Sequence, residues 1–345
     1  MLKPPTGVVQ HWRTGQPRAA AAPPMASSLQ ASKPSSPMTG VSVVLCTYQR
    51  PDSVKRFLDS LSAQTRAVDE LIVVDASRDE ATEAVVARWR GSRDVAYWRV
   101  DDPLRGLTRQ RNFALEAVAY DLTAFFDDDV VLDPACVGEM ERAHRASPGL
   151  AGVGCFAEEW MPPTRLWRLR RALRIVPDLR PGTYTRTGMS VPWRFHEPTN
   201  QVIEGDWLPG CAMLLETEAA REVRFDEALK GYGQGEDLDF SLRLRRRGRI
   251  AMAGAARCEH LHAPAGRPNA FRLGQMEICN RHVIWRRVHR RPRVLDRLSF
   301  GYAWTLDTML LVRDAVRPQH AANGIRRIAG RVIGASRVLT NRPLA

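Results

Sequence analysis

Three adjacent carboxylates, Asp127-Asp128-Asp129, follow directly on the apolar run Leu122–Phe126. Like charges this close repel, so the arrangement is costly without a cation or several donors to absorb the charge. Hard carboxylate oxygens suit Mg or Mn, ions that commonly bridge protein carboxylates to a diphosphate. A second acidic pair, Glu236-Asp237, stands where the Gly-rich stretch KGYGQG gives way to a helical pattern with Leu238, Phe240, Leu242 and Leu244 on its packing side. The pair falls at the expected helix N-terminus, where the dipole stabilises negative charge. An acid at the mouth of a flexible loop is a candidate general base. Arg109 and Arg111 open a helix in GLTRQRN, and guanidinium forks match diphosphate oxygens. His260 and His262, in CEHLHAP, alternate along a strand-like run and so share a face, from which one of them can reach the same metal.

The elements that must position these groups are legible upstream. Val41–Cys46 is a continuous apolar run of strand length, followed by a helix with Val54, Phe57, Leu58 and Leu61 on one face. ELIVVDAS is a second buried strand, ending in Asp75, and a helix with Ala81, Val85 and Trp89 on one face comes next. Val95–Val100 reads as a strand, Leu107–Val118 as a helix and Leu122–Phe126 as a fourth strand. Strands apolar on both faces and separated by helices predict an α/β fold, a mostly parallel sheet flanked by helices. Ligands of such sheets bind beyond the carboxyl ends of the strands. Thr47, Tyr48 and Arg50, then Asp75, then Asp127–Asp129, all sit at such ends. Arg165–Arg174 is a basic amphipathic stretch, read either as a helix packing on the sheet or as an acceptor or membrane contact. A helix is expected from about Glu236 to Arg247, and an Arg-rich helical extension beyond residue 285.

The chain has 345 residues and a formal net charge of +13, very unevenly spread. From Arg243 onward there are 22 arginines, no lysine and 5 acidic residues, a local balance of +17 that leaves about −4 for the rest. Either this is a solvated basic face, or it meets an anionic partner such as a phospholipid surface, a lipid diphosphate or a nucleic acid. Aromatics that could stack on bases are sparse there, Trp285 and Trp304, which disfavours nucleic acid. Residues 1–38 are rich in Pro, Ala and Ser without apolar periodicity and are expected to form a disordered tail. No apolar run reaches about 18 residues, so no spanning helix is expected. The six cysteines are scattered, with no CxxC pair. They read as small core residues in a reducing, cytoplasmic setting, with peripheral contact at an anionic membrane face as the role open to the basic end. The sequence leaves the oligomeric state open.

In order along the chain, VSVVLCTYQRP, ELIVVDAS, GLTRQRNFAL, FFDDDVVLDP, LPGCAMLLE and RFDEALKGYGQGEDLDFSLRLRRRG resemble the signatures of family 2 glycosyltransferases, which have the GT-A fold. The resemblance spans roughly residues 40 to 285. It implies an inverting enzyme that moves a sugar from a nucleotide-diphosphate sugar to an acceptor hydroxyl with the help of Mg or Mn, in polysaccharide or cell-envelope glycan synthesis. By position it implies that Thr47, Tyr48 and Arg50 line the nucleotide pocket and that Asp75 holds the base or ribose. Arg111, with Arg109 nearby, would meet the nucleotide or diphosphate. Asp127 and Asp128 would lie near the ribose and metal, and Asp129 would be the principal metal ligand. Asp237 would be the base with Glu236 beside it, and His260, or His262 by a shift, would complete the metal site. The implied division is 39–155 for the nucleotide-sugar half, 156–285 for the acceptor and base half, and 286–345 for a helical basic extension. DAS after Asp75 and the absence of Asn after Gly in LPGCAML depart from the usual pattern and bear on the donor. The rival readings are a nucleotidyltransferase on a related fold, against which CTYQRPDS stands in place of a Gly-rich phosphate loop, and an anion-binding module built on the Arg-rich third.

Overall fold

The computed structural model describes residues 8–13, 37–89, 95–263, 268–312 and 321–340. Ten strands form one sheet: β1 (Val8–Arg13), β2 (Met38–Thr47), β3 (Glu70–Asp75), β4 (Val95–Val100), β5 (Tyr120–Asp127), β6 (Val130–Leu132), β7 (Leu150–Phe156), β8 (Val202–Glu204), β9 (Ala212–Glu216) and β10 (Arg249–His260). The described helices are α1 (Pro51–Ser62), α2 (Ala81–Trp89), α3 (Leu107–Ala117), α4 (Cys136–Arg145), α5 (Arg165–Ala172), α6 (Thr217–Val223), α7 (Glu236–Leu244), α8 (Ala270–Val288), α9 (Val294–Leu310) and α10 (Ala321–Leu339). The strand order is β1-β4-β3-β2-β5-β9-β7-β10-β6, with β8 paired to β10.

Strands β4, β3, β2 and β5 run parallel, as their apolar runs predict. Beyond β5 the sheet is mixed rather than mostly parallel. β9 is antiparallel to both β5 and β7, while β7 and β10 are parallel. A short strand buried on both faces carries the same apolar run in either direction, so its sense is invisible locally. Successive side chains alternate between two cores. Val43, Leu45, Leu71, Val73, Ala124 and Phe126 enter one with Val54, Phe57, Leu58 and Leu61 of α1. Val44, Ile72, Val74 and Phe125 enter the other with Phe113 of α3 and Phe240 of α7. Burial of each large apolar side chain contributes roughly 1.5–3 kcal/mol, so the sheet holds its strand ends firmly from both sides.

The expected tail over 1–38 lies outside the described residues except at 8–13 and 37–38, and at 8–13 that expectation fails. Val8–Arg13 pairs antiparallel with β4. An edge strand presents unpaired N–H and C=O groups, and VVQHWR is rich enough in β-branched and aromatic residues to add to it. α5 does not pack on the sheet. Trp167 and Leu173 join a small third core with Ile175, Val191, Phe195 and Ala303 of α9. That core docks the C-terminal part on the rest of the chain, and the boundary expected at 285 falls inside α8. Within the expected Leu298–Val316 stretch, described to residue 312, Ala303 and Asp307 are buried whereas Leu298 and Met309 are exposed. No helix among the described residues is long and apolar enough to cross a membrane. All six cysteines are buried and unbridged.

α8 and α10 touch backbone to backbone. A Cβ at Gly330 would fall 2.0 Å from the Phe271 carbonyl oxygen, and one at Gly274 would fall 2.2 Å from that of Arg327. Gly330→Ala is therefore expected to force these helices apart and to destabilise the fold by about 1–3 kcal/mol. Calorimetric unfolding with an unchanged Tm would contradict that contact.

Candidate active site

The sheet register brings three chain-distant segments together. Thr47 at the end of β2 lies beside Asp75 at the end of β3, and Cys46 beside Asp127 at the end of β5. The acidic turn then distributes its three carboxylates in three directions. Asp128 is buried and accepts hydrogen bonds from Thr47 Oγ1 at 2.7 Å and Arg50 Nη1 at 2.8 Å. Burial pushes its pKa up to about 6, with Arg50 and Thr47 offsetting part of the rise. Asp129 Oδ1 lies 3.0 Å from His260 Nε2, and its Oδ2 accepts the Ala263 N–H at 2.8 Å. Burial raises the Asp129 pKa, but the His260 contact and the Ala263 donor outweigh it and hold the carboxyl below its usual range. Asp127 meets Arg111 while staying close to Asp129 and His260.

Arg111 is 1% exposed. Its Nη2 donates to Asp127 Oδ1 at 3.0 Å and to the Gly210 carbonyl at 2.7 Å, and its Nη1 to Glu236 Oε1 at 3.1 Å. The Phe125 and Phe225 ring centroids lie 5.7 and 5.1 Å from its guanidinium carbon. Arg111 is thus turned inward onto two carboxylates and a carbonyl, partners that a buried guanidinium requires. Arg109 is not brought to this cluster. Two residues away on a helix it points elsewhere, donating to the Pro103 carbonyl at 3.1 Å on the surface.

The second acidic pair arrives on α7. The loop before it turns through positive φ at Gly231, Gly233 and Gly235, a conformation that favours glycine. Glu236 is buried against Arg111. Burial and the nearby Asp237 push its pKa up to about 8, with Arg111 offsetting part. Asp237 accepts the Gly210 N–H at 3.1 Å and its own neighbour's, Leu238, at 2.7 Å. Burial raises its pKa as well, those two donors offsetting part. Among the described residues, no cation is in ion-pair contact with Asp237.

One cavity of about 790 Å³ is lined by Asp127, Glu236, Asp237, His260 and His262 together. Asp127, Asp129 and His260 each offer a ligand atom, all within 4.8 Å of one another. Two carboxylate oxygens with one imidazole nitrogen fit a hard-to-borderline divalent ion such as Mn. His262 lies outside this set. β10 ends at His260, so strand alternation no longer applies, and His262 turns the chain at φ +52. Its Nε2 comes 3.8 Å from Glu158, and its ring centroid 4.1 Å from that of His260. Asp75 is fully buried and accepts Tyr97 Oη–H at 2.7 Å and the Ser77 N–H at 2.8 Å. Burial raises its pKa, and these donors counter it. Tyr48 packs beside the second core, with Arg105 5.5 Å over its ring.

Two supporting residues escape the sequence reading. Gln110 Nε2 donates to the Thr47 and Val74 carbonyls at 3.1 and 2.8 Å, clamping β2 to β3. Gly210 is used through both its N–H and its carbonyl, and a Cβ there would meet Asp237 Cβ at 2.8 Å. The signal was a glycine inside the apolar run LPGCAMLL, which marks close backbone approach.

A sheet whose parallel half ends in a carboxylate–imidazole cluster, facing a helix-borne acid across one cavity, defines a GT-A α/β fold. The structure of the mannosyltransferase PcManGT from Pyrobaculum calidifontis in complex with GDP-Man and Mn2+ shares that fold, with a TM-score of 0.53 at 15% identity over 92% of this chain and 93% of that one. Residues 42–207 match the model of glycosyl transferase family 2. Validoxylamine A glucosyltransferase of Streptomyces hygroscopicus subsp. jinggangensis is 26% identical over 283 residues, 76% of this chain and 63% of that protein. The succinoglycan biosynthesis protein ExoM of Rhizobium meliloti is 25% identical over 206 residues, covering 58% and 59% respectively. This chain thus spans less than two thirds of the length of these relatives.

Arg111 neutralises two carboxylates at once, buried Glu236 and half-buried Asp127. Arg111→Met, close in shape but uncharged, should destabilise the fold by about 3–5 kcal/mol, the cost of leaving a buried charge unpaired. Denaturant titration showing a loss under 1 kcal/mol would contradict the cross-link.

Proposed function

We propose that this chain transfers a sugar from a nucleotide-diphosphate sugar to an acceptor hydroxyl, with inversion at the anomeric carbon and Asp237 as general base. The observation that carries this reading is the shared cavity, which Asp127 and His260 of the ligand set line together with Asp237, with Asp129 beside them. Of the two acids at the start of α7, Glu236 is tied to Arg111, whereas among the described residues Asp237 is held only by backbone N–H groups. It is therefore the one free to take a proton. Its raised pKa brings it nearer neutrality, where a base is most effective.

In a single displacement the acceptor oxygen forms a bond to the anomeric carbon while that carbon's bond to the diphosphate oxygen breaks. The bonding pair leaves with the diphosphate, and the acceptor proton passes to Asp237. One such carboxylate suffices for inversion, since no covalent intermediate is needed. A Mg or Mn ion held by Asp127, Asp129 and His260 would supply the charge that stabilises the leaving diphosphate. Arg50 and Thr47 hold Asp128, and through it the turn that carries the two aspartate ligands. The Gly210 N–H orients the base. The nucleotide is read as bound at the ends of β2 and β3, near Thr47 and Asp75, and a cytoplasmic role in glycan synthesis belongs to the same reading.

Asp129→Ala should abolish Mn2+ binding in calorimetry, and a dissociation constant equal to that of the wild type would remove Asp129 from the site. Asp237→Asn should keep Mn2+ and nucleoside diphosphate affinity while kcat drops by roughly a hundred- to ten-thousand-fold. Near-normal turnover by the purified variant would end the base assignment.

A further inference from the structure

The same cavity has a second charged wall, built by the C-terminal helices. Arg170 of α5, Arg281 of α8 and Arg327 and Arg331 of α10 all line it, together with Glu277 and Asp307. Asp307 Oδ1 receives Arg170 Nη2 at 2.7 Å, and its Oδ2 receives Arg331 Nη1 at 3.0 Å. Glu277 receives Arg331 Nε at 2.7 Å and also Arg327. Both carboxylates are thereby committed. Arg281 donates to the carbonyls of Gly188 at 2.9 Å and Thr187 at 3.2 Å, and the nearest carboxylate to its Nη1 is Asp307 at 4.0 Å. Among the described residues, four guanidinium groups thus face two carboxylates on this wall, and three of the four side chains are at most 14% exposed. Burial pulls the Arg281 pKa down to about 10, and Arg331 and Arg170 add to the fall while Asp307 opposes it. Excess buried charge of one sign is expensive unless a counter-charge arrives.

We propose that this wall is an oxyanion site for the acceptor, so that the acceptor carries a phosphate or carboxylate group besides its reacting hydroxyl. The inference rests on the glycosyltransferase reading above. The donor diphosphate belongs to the ligand set at the end of β5, so a second anion in the same cavity belongs to the other substrate. The hydrogen bonds of these arginines run to Glu277 of α8, Asp307 of α9 and loop 187–188, and among the described residues they do not reach the strand ends of β2 and β3. Planar guanidinium forks suit either oxyanion. Two lining residues, Trp207 and Gln234, carry a buried indole N–H and amide oxygen with no partner among the described residues, and these suit a polar ligand too.

The test is thermal unfolding of the full chain at constant ionic strength in chloride, titrated with inorganic phosphate or with acetate. A saturable rise in Tm with phosphate assigns a phosphoryl group, and one with acetate alone assigns a carboxyl group. Arg281→Gln, or Arg170→Gln if the first does not give a cooperative unfolding transition, should weaken that binding by roughly tenfold or more. Saturating UDP or GDP with Mn2+ should leave it unchanged. No saturable shift with either anion, equal affinity in the folded variants, or competition with the nucleotide would overturn the proposal. Failure of both nucleotides to bind the wild type would instead overturn the donor reading, and the anion titrations would still read out.

Discussion

A single buried guanidinium holds the candidate site together. Arg111 reaches Asp127 on β5, Glu236 on α7 and the Gly210 carbonyl before β9, joining segments 99 and 125 residues away from it in sequence. Without it, buried Glu236 and half-buried Asp127 would repel each other, and the buried one would seek a proton. With Arg111 between them, Asp127 and Glu236 both stand at the cavity wall with their charge offset. The consequence is an asymmetry between neighbours that both line the cavity: Glu236 is paired with the arginine, and Asp237 accepts backbone N–H groups.

Around that cross-link, the backbone does much of the positioning. The sheet register sets Thr47 against Asp75 and Cys46 against Asp127, and neither requires a side-chain contact. β10 pairs with β6 directly after the acidic turn, with His260 opposite Val130. That pairing is what delivers an imidazole from a distant strand to within 3.0 Å of Asp129. Gly210 offers its N–H to one acid and its carbonyl to the arginine that neutralises the other. The residue without a side chain therefore sets the spacing between the two halves of the site.

The C-terminal helices close the cavity rather than hanging from it. α9 is anchored through Ala303 in the third core and through Asp307, which is 3% exposed and paired with arginines of α5 and α10. Much of the Arg excess that makes the last third of the chain basic remains on exposed surface. A small part of it is turned inward, where low dielectric makes each charge count for more.

The sequence by itself determined the elements and the inventory of chemistry. Alternation and apolar runs fix β2, β3, β4 and β5 and the helices between them, because those signals lie within a dozen residues. The three aspartates, the acidic pair and His260 were legible for the same reason: each follows a strand or opens a helix whose limits are local. Tertiary structure alone decided which groups face one another. That Arg111 turns inward while Arg109 turns out, that His262 passes beyond the end of its strand, that β9 runs antiparallel and that Val8–Arg13 caps an edge all depend on partners far along the chain. A hydrogen bond between residues 125 apart leaves no periodicity in either segment, so only the folded chain can show it.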